Sequence, residues 1–292
     1  MTYVMKQILN VMSKILTKRC KHGIFSFSTN DMFIGKSLDI YGEYCENEFL
    51  IMDLLMQPNY IVLDVGANLG LHTVWFSKHA FTGKVHSFEP VEFNRQLLHR
   101  NLKQNRCKNV QVYSNAVSNR LGNSFISVFD PTEPGNYGEC SLIEGHPKSN
   151  YQAVPTVPID KLPFDRVDFI KIDVEGFEPQ VLAGAEKTIT KHRPSMLIEV
   201  NNSQPHIEKV WEQLNPKNYL LWWLPVRNYN PYNYFGNPVN IFANSGVVNV
   251  LACPQEKAPI VEIDKILEPV EGFDDNHTKM FQRVFNRIKK ST

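Results

Sequence analysis

Apolar and polar residues follow one another in blocks through the middle of the chain. Five apolar runs of strand length stand out, over residues 61–65, 84–89, 110–113, 167–173 and 195–200. Segments with apolar residues at helical spacing separate these runs, over 69–78, 92–104, from about 178, and over 206–214. Near-continuous apolar strands that alternate with helices predict a mostly parallel sheet covered by helices on both faces.

Both ends of the chain carry apolar residues at helical spacing together with basic neighbours. The pattern covers residues 4–16 at the start and 279–290 at the end. It fits a helix packed on the body of the protein, which we favour because apolar stripes usually face a core. It also leaves open a peripheral membrane contact through two basic amphipathic helices.

Two stretches break the alternation. Residues 130–163 are crowded with proline and glycine, which predicts a long ordered loop with short strand pieces beside a binding edge. Residues 225–245 are rich in Asn, Tyr and Pro, and they lie among six aromatic residues, Trp222, Trp223, Tyr229, Tyr232, Tyr234 and Phe235. These rings fit either a stacking wall for a sugar or macrocycle, or packing around an irregular loop.

Composition narrows the function classes. The chain has 292 residues, of which 42% are hydrophobic, and its formal net charge is +1, which gives no support for a nucleic-acid-binding surface. Five scattered cysteines without a C-x-x-C pair signal neither a zinc site nor a redox dithiol. We find no apolar run of membrane-span length and no secretion signal, so we expect a cytoplasmic protein. The oligomeric state is left open.

The strongest chemical signal is the turn Asp64-Val65-Gly66-Ala67-Asn68-Leu69-Gly70, after the first predicted strand. Glycines at a strand-to-helix turn let a ligand approach the backbone closely. The crevice at the carboxyl ends of parallel strands is where such sheets bind ligands. The next strand ends at Glu89, whose carboxylate can accept hydrogen bonds from two ribose hydroxyl groups.

These signals fit NAD as well as a nucleoside sulfonium. Asn68 stands where the second glycine of G-x-G-x-x-G would allow close approach of a diphosphate, which counts against NAD. Asp64 and Asp173, at the ends of two strands, suit a sulfonium or ammonium group better than a diphosphate. An NAD(P)-dependent oxidoreductase and a non-catalytic nucleoside-binding module remain the alternatives.

Four ordered motifs resemble the FkbM family of S-adenosylmethionine-dependent methyltransferases. They are Val62-Leu63-Asp64-Val65-Gly66-Ala67-Asn68-Leu69-Gly70-Leu71-His72-Thr73, then Phe88-Glu89-Pro90, then Asn115-Ala116-Val117, and Asp168-Phe169-Ile170-Lys171-Ile172-Asp173-Val174-Glu175-Gly176-Phe177-Glu178. The similarity runs from about Gly42 to Pro254.

The resemblance implies a Rossmann-like class I methyltransferase fold, with a seven-stranded sheet whose last strand, over 247–252, is antiparallel. It divides the chain into an N-terminal helical extension (1–40), a methyltransferase domain (41–256) and a C-terminal extension (257–292). It also implies O-methylation of a hydroxyl on a small molecule or glycan, such as a sugar or polyketide, with S-adenosylhomocysteine as product.

The resemblance also carries over a set of cofactor-binding residues. Those expected to hold the methionine part and backbone of the cofactor are Asp64, Gly66, Ala67, Asn68 and Gly70. Glu89, with Pro90, would hold the ribose, and Asn115 and Ala116 would lie by the adenine. Glu43 and Thr73 are expected at the amino-acid end, and Asp173 near the methyl group.

Methylation of a neutral hydroxyl gains from a general base. The candidates are Asp173, Glu175, Glu199, His72 and His206, and we favour the three carboxylates because they follow the fourth and fifth predicted strands. Nothing in the spacing predicts a metal site.

Overall fold

The computed structural model describes residues 14–127, 129–143, 151–200, 204–243 and 245–270. The strands are β1 (Ile15–Cys20), β2 (Gly23–Ser28), β3 (Ile61–Val65), β4 (Lys84–Phe88), β5 (Val110–Tyr113), β6 (Ala116–Val117), β7 (Gly122–Ser127), β8 (Leu142–Ile143), β9 (Tyr151–Val157), β10 (Phe169–Ile172), β11 (Ser195–Val200), β12 (Tyr219–Arg227), β13 (Gly246–Pro254) and β14 (Glu268–Pro269). The α-helices are α1 (Ile34–Ile40), α2 (Glu46–Asp53), α3 (Leu71–His79), α4 (Glu92–Gln104), α5 (Glu178–Ala183), α6 (Glu186–His192), α7 (Gln204–Leu214) and α8 (Ile260–Asp264), and two 3-10 turns cover Ile159–Lys161 and Asn215–Lys217.

The main sheet has the strand order β14-β12-β13-β11-β10-β3-β4-β5. The five strands from β11 to β5 are parallel, and β13 runs antiparallel between β11 and β12. The predicted parallel sheet with an antiparallel last strand is therefore confirmed. The predicted number of seven strands was wrong for the described residues, because the short strand β14 adds an eighth by pairing with Trp222 and Trp223.

The main sheet holds the hydrophobic core. All four residues of β10 are buried, and Trp222 and Trp223 are buried as well, so these two rings pack in the core. Other aromatic residues of the same region stay outside, since Tyr232 is 74% exposed. No helix within the described residues is long and apolar enough to cross a membrane.

Two strands of a second sheet, β8 and β9, lie in the region 130–163 that was predicted to be a long loop with strand pieces, and its other two strands, β6 and β7, precede that region. Its order is β6-β9-β7-β8, and it is inserted between β5 and β10 of the main sheet. Strand β9 is its centre, pairing in parallel with β6 and antiparallel with β7. The insertion places a small β-layer beside the carboxyl edge of the main sheet.

The chain before the main sheet begins as a hairpin of β1 and β2. The helix predicted over 4–16 lies outside the described residues up to residue 13, and its last two residues, Ile15 and Leu16, lie in β1 instead of a helix. An apolar pair at the end of a segment fits a strand as well as a helix. The basic helix predicted over 279–290 lies outside the described residues.

Asn101 of α4 and Asn105, which caps the C-terminus of this helix, hold the outer edge of β2. Asn101 accepts a hydrogen bond from Ser26 N at 2.7 Å and donates one to Ser26 O at 3.0 Å. Asn105 does the same with Ile24, at 3.0 and 2.7 Å. The side-chain amides therefore take the place of a neighbouring strand and fix the hairpin on the body of the protein.

Candidate active site

A cavity of about 340 Å³ opens at the carboxyl ends of β3, β4, β10 and β11. The second sheet forms one wall and the segment around Asn228 and Gly246 forms another. Eleven of the residues predicted for the site line it, namely Gly66, Ala67, Asn68, His72, Glu89, Pro90, Asn115, Ala116, Asp173, Glu175 and Glu199. The structure thus brings residues from four separate sequence motifs to one edge of the sheet.

Four residues predicted to bind the cofactor do not line this cavity. Asp64 and Thr73 are fully buried beneath it, where the Thr73 hydroxyl donates to Asp64 Oδ2 at 2.5 Å. Gly70 packs against Leu98, at a point where a Cβ atom would lie 2.4 Å from the Leu98 side chain. Glu43 faces the segment after β12 and lies outside the cavity lining. Its role at the amino-acid end of the cofactor stays a prediction.

The carboxylate of Glu43 holds the loop 229–243. It accepts hydrogen bonds from Asn230 Nδ2 at 2.7 Å and from Tyr234 N at 3.0 Å. Tyr41 adds two more bonds through its hydroxyl, to Val239 O at 2.8 Å and from Ile241 N at 2.9 Å. Asn228 and Ser245, which flank this loop, line the cavity. Glu43 therefore shapes the cavity wall indirectly, through the loop.

Gly66 is required by the protein's own backbone. Its φ is +84°, and a Cβ atom there would lie 1.7 Å from the carbonyl oxygen of Asp173. The glycine was predicted to give room to a ligand. It also lets the turn after β3 close against the turn after β10, which brings the two motifs into contact.

Glu89 lies at one end of the cavity and is almost fully buried. Its two carboxyl oxygens accept hydrogen bonds from Asn68 N at 2.7 Å and Val91 N at 2.8 Å. Burial raises the pKa of Glu89 to about 7, although these two bonds act in the opposite direction. Each oxygen keeps a lone pair for a further donor, which suits a pair of hydroxyl groups.

Three carboxylates gather at the other end of the cavity. Single oxygens of Asp173, Glu175 and Glu199 all lie within 4.8 Å of one another. The ammonium of Lys171, from β10, lies 2.8 Å from Asp173 Oδ2. Asp173 is 31% exposed, through the cavity, whereas Lys171 is buried at 4%.

One ammonium close to three carboxylates separates their pKa values. Burial would raise the pKa of Asp173, but the charge of Lys171 and hydrogen bonds from Lys171 and Glu199 lower it. Burial and the negative charge of Asp173 raise the pKa of Glu199 well above its ordinary value. The same two causes raise the pKa of Glu175 to about 8. At neutral pH the cluster therefore holds an ionised Asp173 and protonated neighbours.

The turn after β10 is held in an unusual backbone conformation. Glu175 has a φ of +53°, in the left-handed region that non-glycine residues seldom occupy. The buried carboxylate of Glu178 accepts hydrogen bonds from Val174 N and Gly176 N, both at 3.1 Å, and so fixes the turn from inside. Strained backbone of this kind collects at functional sites.

The sequence did not predict two further charged residues on the cavity wall. Glu48 of α2 lies with Oε2 2.7 Å from Nε2 of His72, and its Oε1 accepts a hydrogen bond from Asn249 at 2.9 Å. Lys171 of β10 is the other, with its ammonium beside Asp173. Lys171 is the one charge in an apolar, buried strand, and Glu48 is buried beside Phe49 on α2. A charged residue within an apolar run is the signal that would have found them. His206, by contrast, lies 2.9 Å from Glu178 and outside the cavity lining.

The strand order and this cavity define the class of protein. Parallel strands with an antiparallel strand beside β11, and carboxylates at the strand ends around one cavity, are what the class I methyltransferase fold implies. A family model described as the methyltransferase FkbM domain matches residues 64–221, more than half of the chain. The chain belongs to this family.

Curated relatives agree with the family. Methyltransferase sdnD of Sordaria araneosa is 24% identical over 208 residues, which cover 60% of this chain and 78% of that protein. Methyltransferase 1 of Beauveria bassiana (strain ARSEF 2860) is 25% identical over 180 residues, covering 55% of this chain and 67% of that protein. A methyltransferase FkbM structure from Methylobacillus flagellatus KT matches 85% of this chain with a TM-score of 0.46 and 16% identity, and this chain spans 58% of that protein's length.

Family membership confirms the predicted enzyme class, an S-adenosylmethionine-dependent methyltransferase. It decides against the oxidoreductase and against the non-catalytic module, which the residues had left open.

Proposed function

We propose that this chain transfers a methyl group from S-adenosylmethionine to a hydroxyl group of a small molecule or glycan, such as a sugar or a polyketide-like molecule. The observation that carries the proposal is the cluster of Asp173, Glu175 and Glu199 on the cavity wall. A neutral hydroxyl group is a weak nucleophile, and a carboxylate that accepts its proton makes the transfer faster.

The charge of the cavity supports a neutral acceptor. Six acidic residues line it, namely Glu48, Glu89, Glu139, Asp173, Glu175 and Glu199. Lys171 is the single Lys or Arg among its described lining residues, and Asp173 already pairs with it. An acceptor with a phosphate or carboxylate beside its reacting atom would meet like charges here.

The lining residues fit the cofactor. Glu89 offers lone pairs for the ribose hydroxyl groups, and Pro90, Asn115 and Ala116 lie on the same wall for the adenine. When bound, S-adenosylmethionine supplies a methyl group on a positively charged sulfur, which suits the carboxylates at the other end. Gly66, Ala67 and Asn68 would hold its methionine part, with Asp64, Gly70 and Thr73 supporting that turn from beneath.

The protein's own task is then to hold the acceptor oxygen in line with the bond that breaks and to take its proton. Correct placement accounts for much of the rate enhancement in such a displacement. Lys171 keeps the carboxylate of Asp173 ionised. Glu175 and Glu199, whose pKa values are raised, are the protonated carboxyl groups of the cluster in the free protein, and they are the groups that can lose or gain a proton during the reaction.

The first test is a calorimetric titration with S-adenosylhomocysteine, with NADH as the control. Micromolar binding of the former and none of the latter is expected. The acceptor class is tested with methyl-¹³C-labelled S-adenosylmethionine and a small-molecule and glycan extract of cells that express the chain. The chemical shift of the transferred carbon separates O-methyl from N-, S- and C-methyl products, and an N- or C-methyl signal would contradict the proposal.

A further inference from the structure

Glu175 has an unusual position among the cavity carboxylates. Among the described residues its carboxylate makes no hydrogen bond or ion pair, whereas Asp173 has Lys171 and Glu89 has two backbone N–H groups. The left-handed turn, and the hydrogen bonds that Val174 N and Gly176 N donate to Glu178, hold it at the cavity wall. A carboxylate held at that place without a partner suits a group that arrives with the ligand.

The charges that face Glu175 come from four directions. Asp173 and Lys171 face it from β10 and its turn, Glu199 from β11, Glu178 from α5 and Glu139 from the segment before β8. Four of these five groups are acidic, and the one ammonium is bound to Asp173. The negative charges and burial together keep Glu175 protonated, with a pKa of about 8, until a positive charge comes near.

We propose that Glu175 responds to the charge of the bound cofactor: it gives up its proton when the sulfonium of the methyl donor lies in the cavity, and it takes a proton back once the methyl group has left. This inference rests on the proposed function. It makes the cavity select the cationic donor over the neutral product, and it makes the base available only when there is a methyl group to transfer.

Glu175 accounts for the proton that the reaction releases. Donor binding releases the Glu175 proton to solvent. The acceptor oxygen then forms a bond to the methyl carbon with one of its lone pairs, while the carbon–sulfur bond breaks and its electron pair stays on sulfur. The hydroxyl proton passes to the Glu175 carboxylate, and the neutral product leaves a protonated Glu175 behind. No other reactant is needed.

The test is proton release on binding, measured by calorimetry in buffers of different ionisation enthalpy. The probes are S-adenosylmethionine, S-adenosylhomocysteine and sinefungin, an analogue with an ammonium in place of the methylated sulfur. At pH 7.5 the two cationic ligands are expected to release about half to one proton more than the neutral one. From pH 6.5 to 8.5 donor affinity should rise about tenfold more than product affinity, because ionisation of Glu89 in the same range acts on both ligands alike.

Glu175→Gln keeps the shape of the side chain and removes its titration. In this variant the extra proton release, and the amount by which the pH dependence of donor affinity exceeds that of product affinity, should both disappear. Comparison of the two proteins also cancels the titration of the ligand's own amino group. Glu212→Gln, an exposed change on α7, is the matched control and should behave like the unmodified chain.

Two results would overturn the inference with the cofactor site intact. One is equal proton release by all three ligands, and the other is unchanged release in Glu175→Gln. If none of the three ligands binds, the proposed function itself fails, and this inference fails with it.

Discussion

Lys171 and Asp173 stand two residues apart and their charged groups meet at 2.8 Å on the cavity wall. Residues two apart on a strand point to the same side, so the geometry of β10 itself creates the pair. Asp173, Asp64 and Glu48, acting against the effect of burial, raise the pKa of Lys171. This ammonium is therefore the counter-charge for the acidic end of the site.

Replacement of this ammonium should cost stability. Lys171→Met keeps the length of the side chain but leaves several carboxylates facing one another, and loss of one partner of a buried pair costs about 3 kcal/mol or more. Urea unfolding should show a larger deficit at pH 8 than at pH 5.5, because the carboxylates ionise as pH rises. Asp173→Asn added to Lys171→Met should recover part of the loss, and a deficit independent of pH would contradict this account.

The free protein should lose stability as pH rises from 6 to 9. Glu175 and Glu89 have folded-state pKa values of about 8 and 7, above the ordinary 4.5, so the folded state binds more protons than the unfolded state in this range. Their contribution is fully present below pH 4.5 and is lost as pH passes 8. Glu175→Gln should flatten the decline by about 2 kcal/mol, a value discounted because the carboxylate faces an open cavity. A steeper decline in the variant would contradict the assignment.

Glu89 should be necessary for cofactor affinity. Glu89→Ala removes the acceptors for the ribose and also leaves Asn68 N and Val91 N without their partner, so part of its effect is on stability. Glu89→Gln keeps one acceptor oxygen, so only one of the two N–H groups loses its partner. S-adenosylhomocysteine binding should weaken about tenfold or more, while the melting temperature falls less than in Glu89→Ala. Unchanged affinity in Glu89→Gln would remove this residue from the site.

Glu43 should act on the loop 229–243 and leave the cofactor unaffected. Glu43→Gln weakens the bonds to Asn230 and Tyr234, so chymotrypsin should cut at the exposed Tyr232 several-fold faster. The affinity for S-adenosylhomocysteine should stay within about twofold. Tyr41→Phe should reproduce the faster cleavage, whereas a large loss of cofactor affinity in Glu43→Gln would restore the predicted cofactor role.

Removal of divalent metal should have no effect on cofactor binding. The three clustered carboxylates have a spacing that a cation could use, but Lys171 already neutralises Asp173. S-adenosylhomocysteine should bind with the same affinity in EDTA and in millimolar Mg²⁺. Stoichiometric heat on titration of Mg²⁺ would contradict the prediction that the site has no metal.

The apolar runs of the sequence predicted the parallel strands well, because most positions of β3, β4, β10 and β11 are buried, whichever face of the sheet they point to. The β1–β2 hairpin was missed, since its turn at Lys21 and His22 lacks the Asn-Gly or Asp-Gly signal of a two-residue hairpin. Strand β14 contains only Glu268 and Pro269 and joins the sheet through tertiary packing, which a pattern of period two cannot show.

The residues around the cavity were predicted best at strand ends: Glu89 and Asp173 directly follow their strands, and Glu199 is the last residue but one of β11. Motif residues that support the turn from beneath, such as Asp64 and Thr73, cannot be told apart by sequence from residues that face the cavity. Glu48 was missed because it comes from a helix before the first motif, and only folding brings that helix to the carboxyl edge.

Asn101 and Asn105 can pair with Ser26 and Ile24 because one turn of a helix and two residues of a strand have nearly the same length. Four residues of an α-helix advance about 6 Å, and two residues of a strand advance about 6.6 Å. Asparagines one helical turn apart can therefore match the repeat of a strand and pair with alternate residues along its edge. An Asn-x-x-x-Asn step on a helix facing a hairpin is thus a way to close an exposed strand edge against association with other chains, and it can be copied in designed proteins.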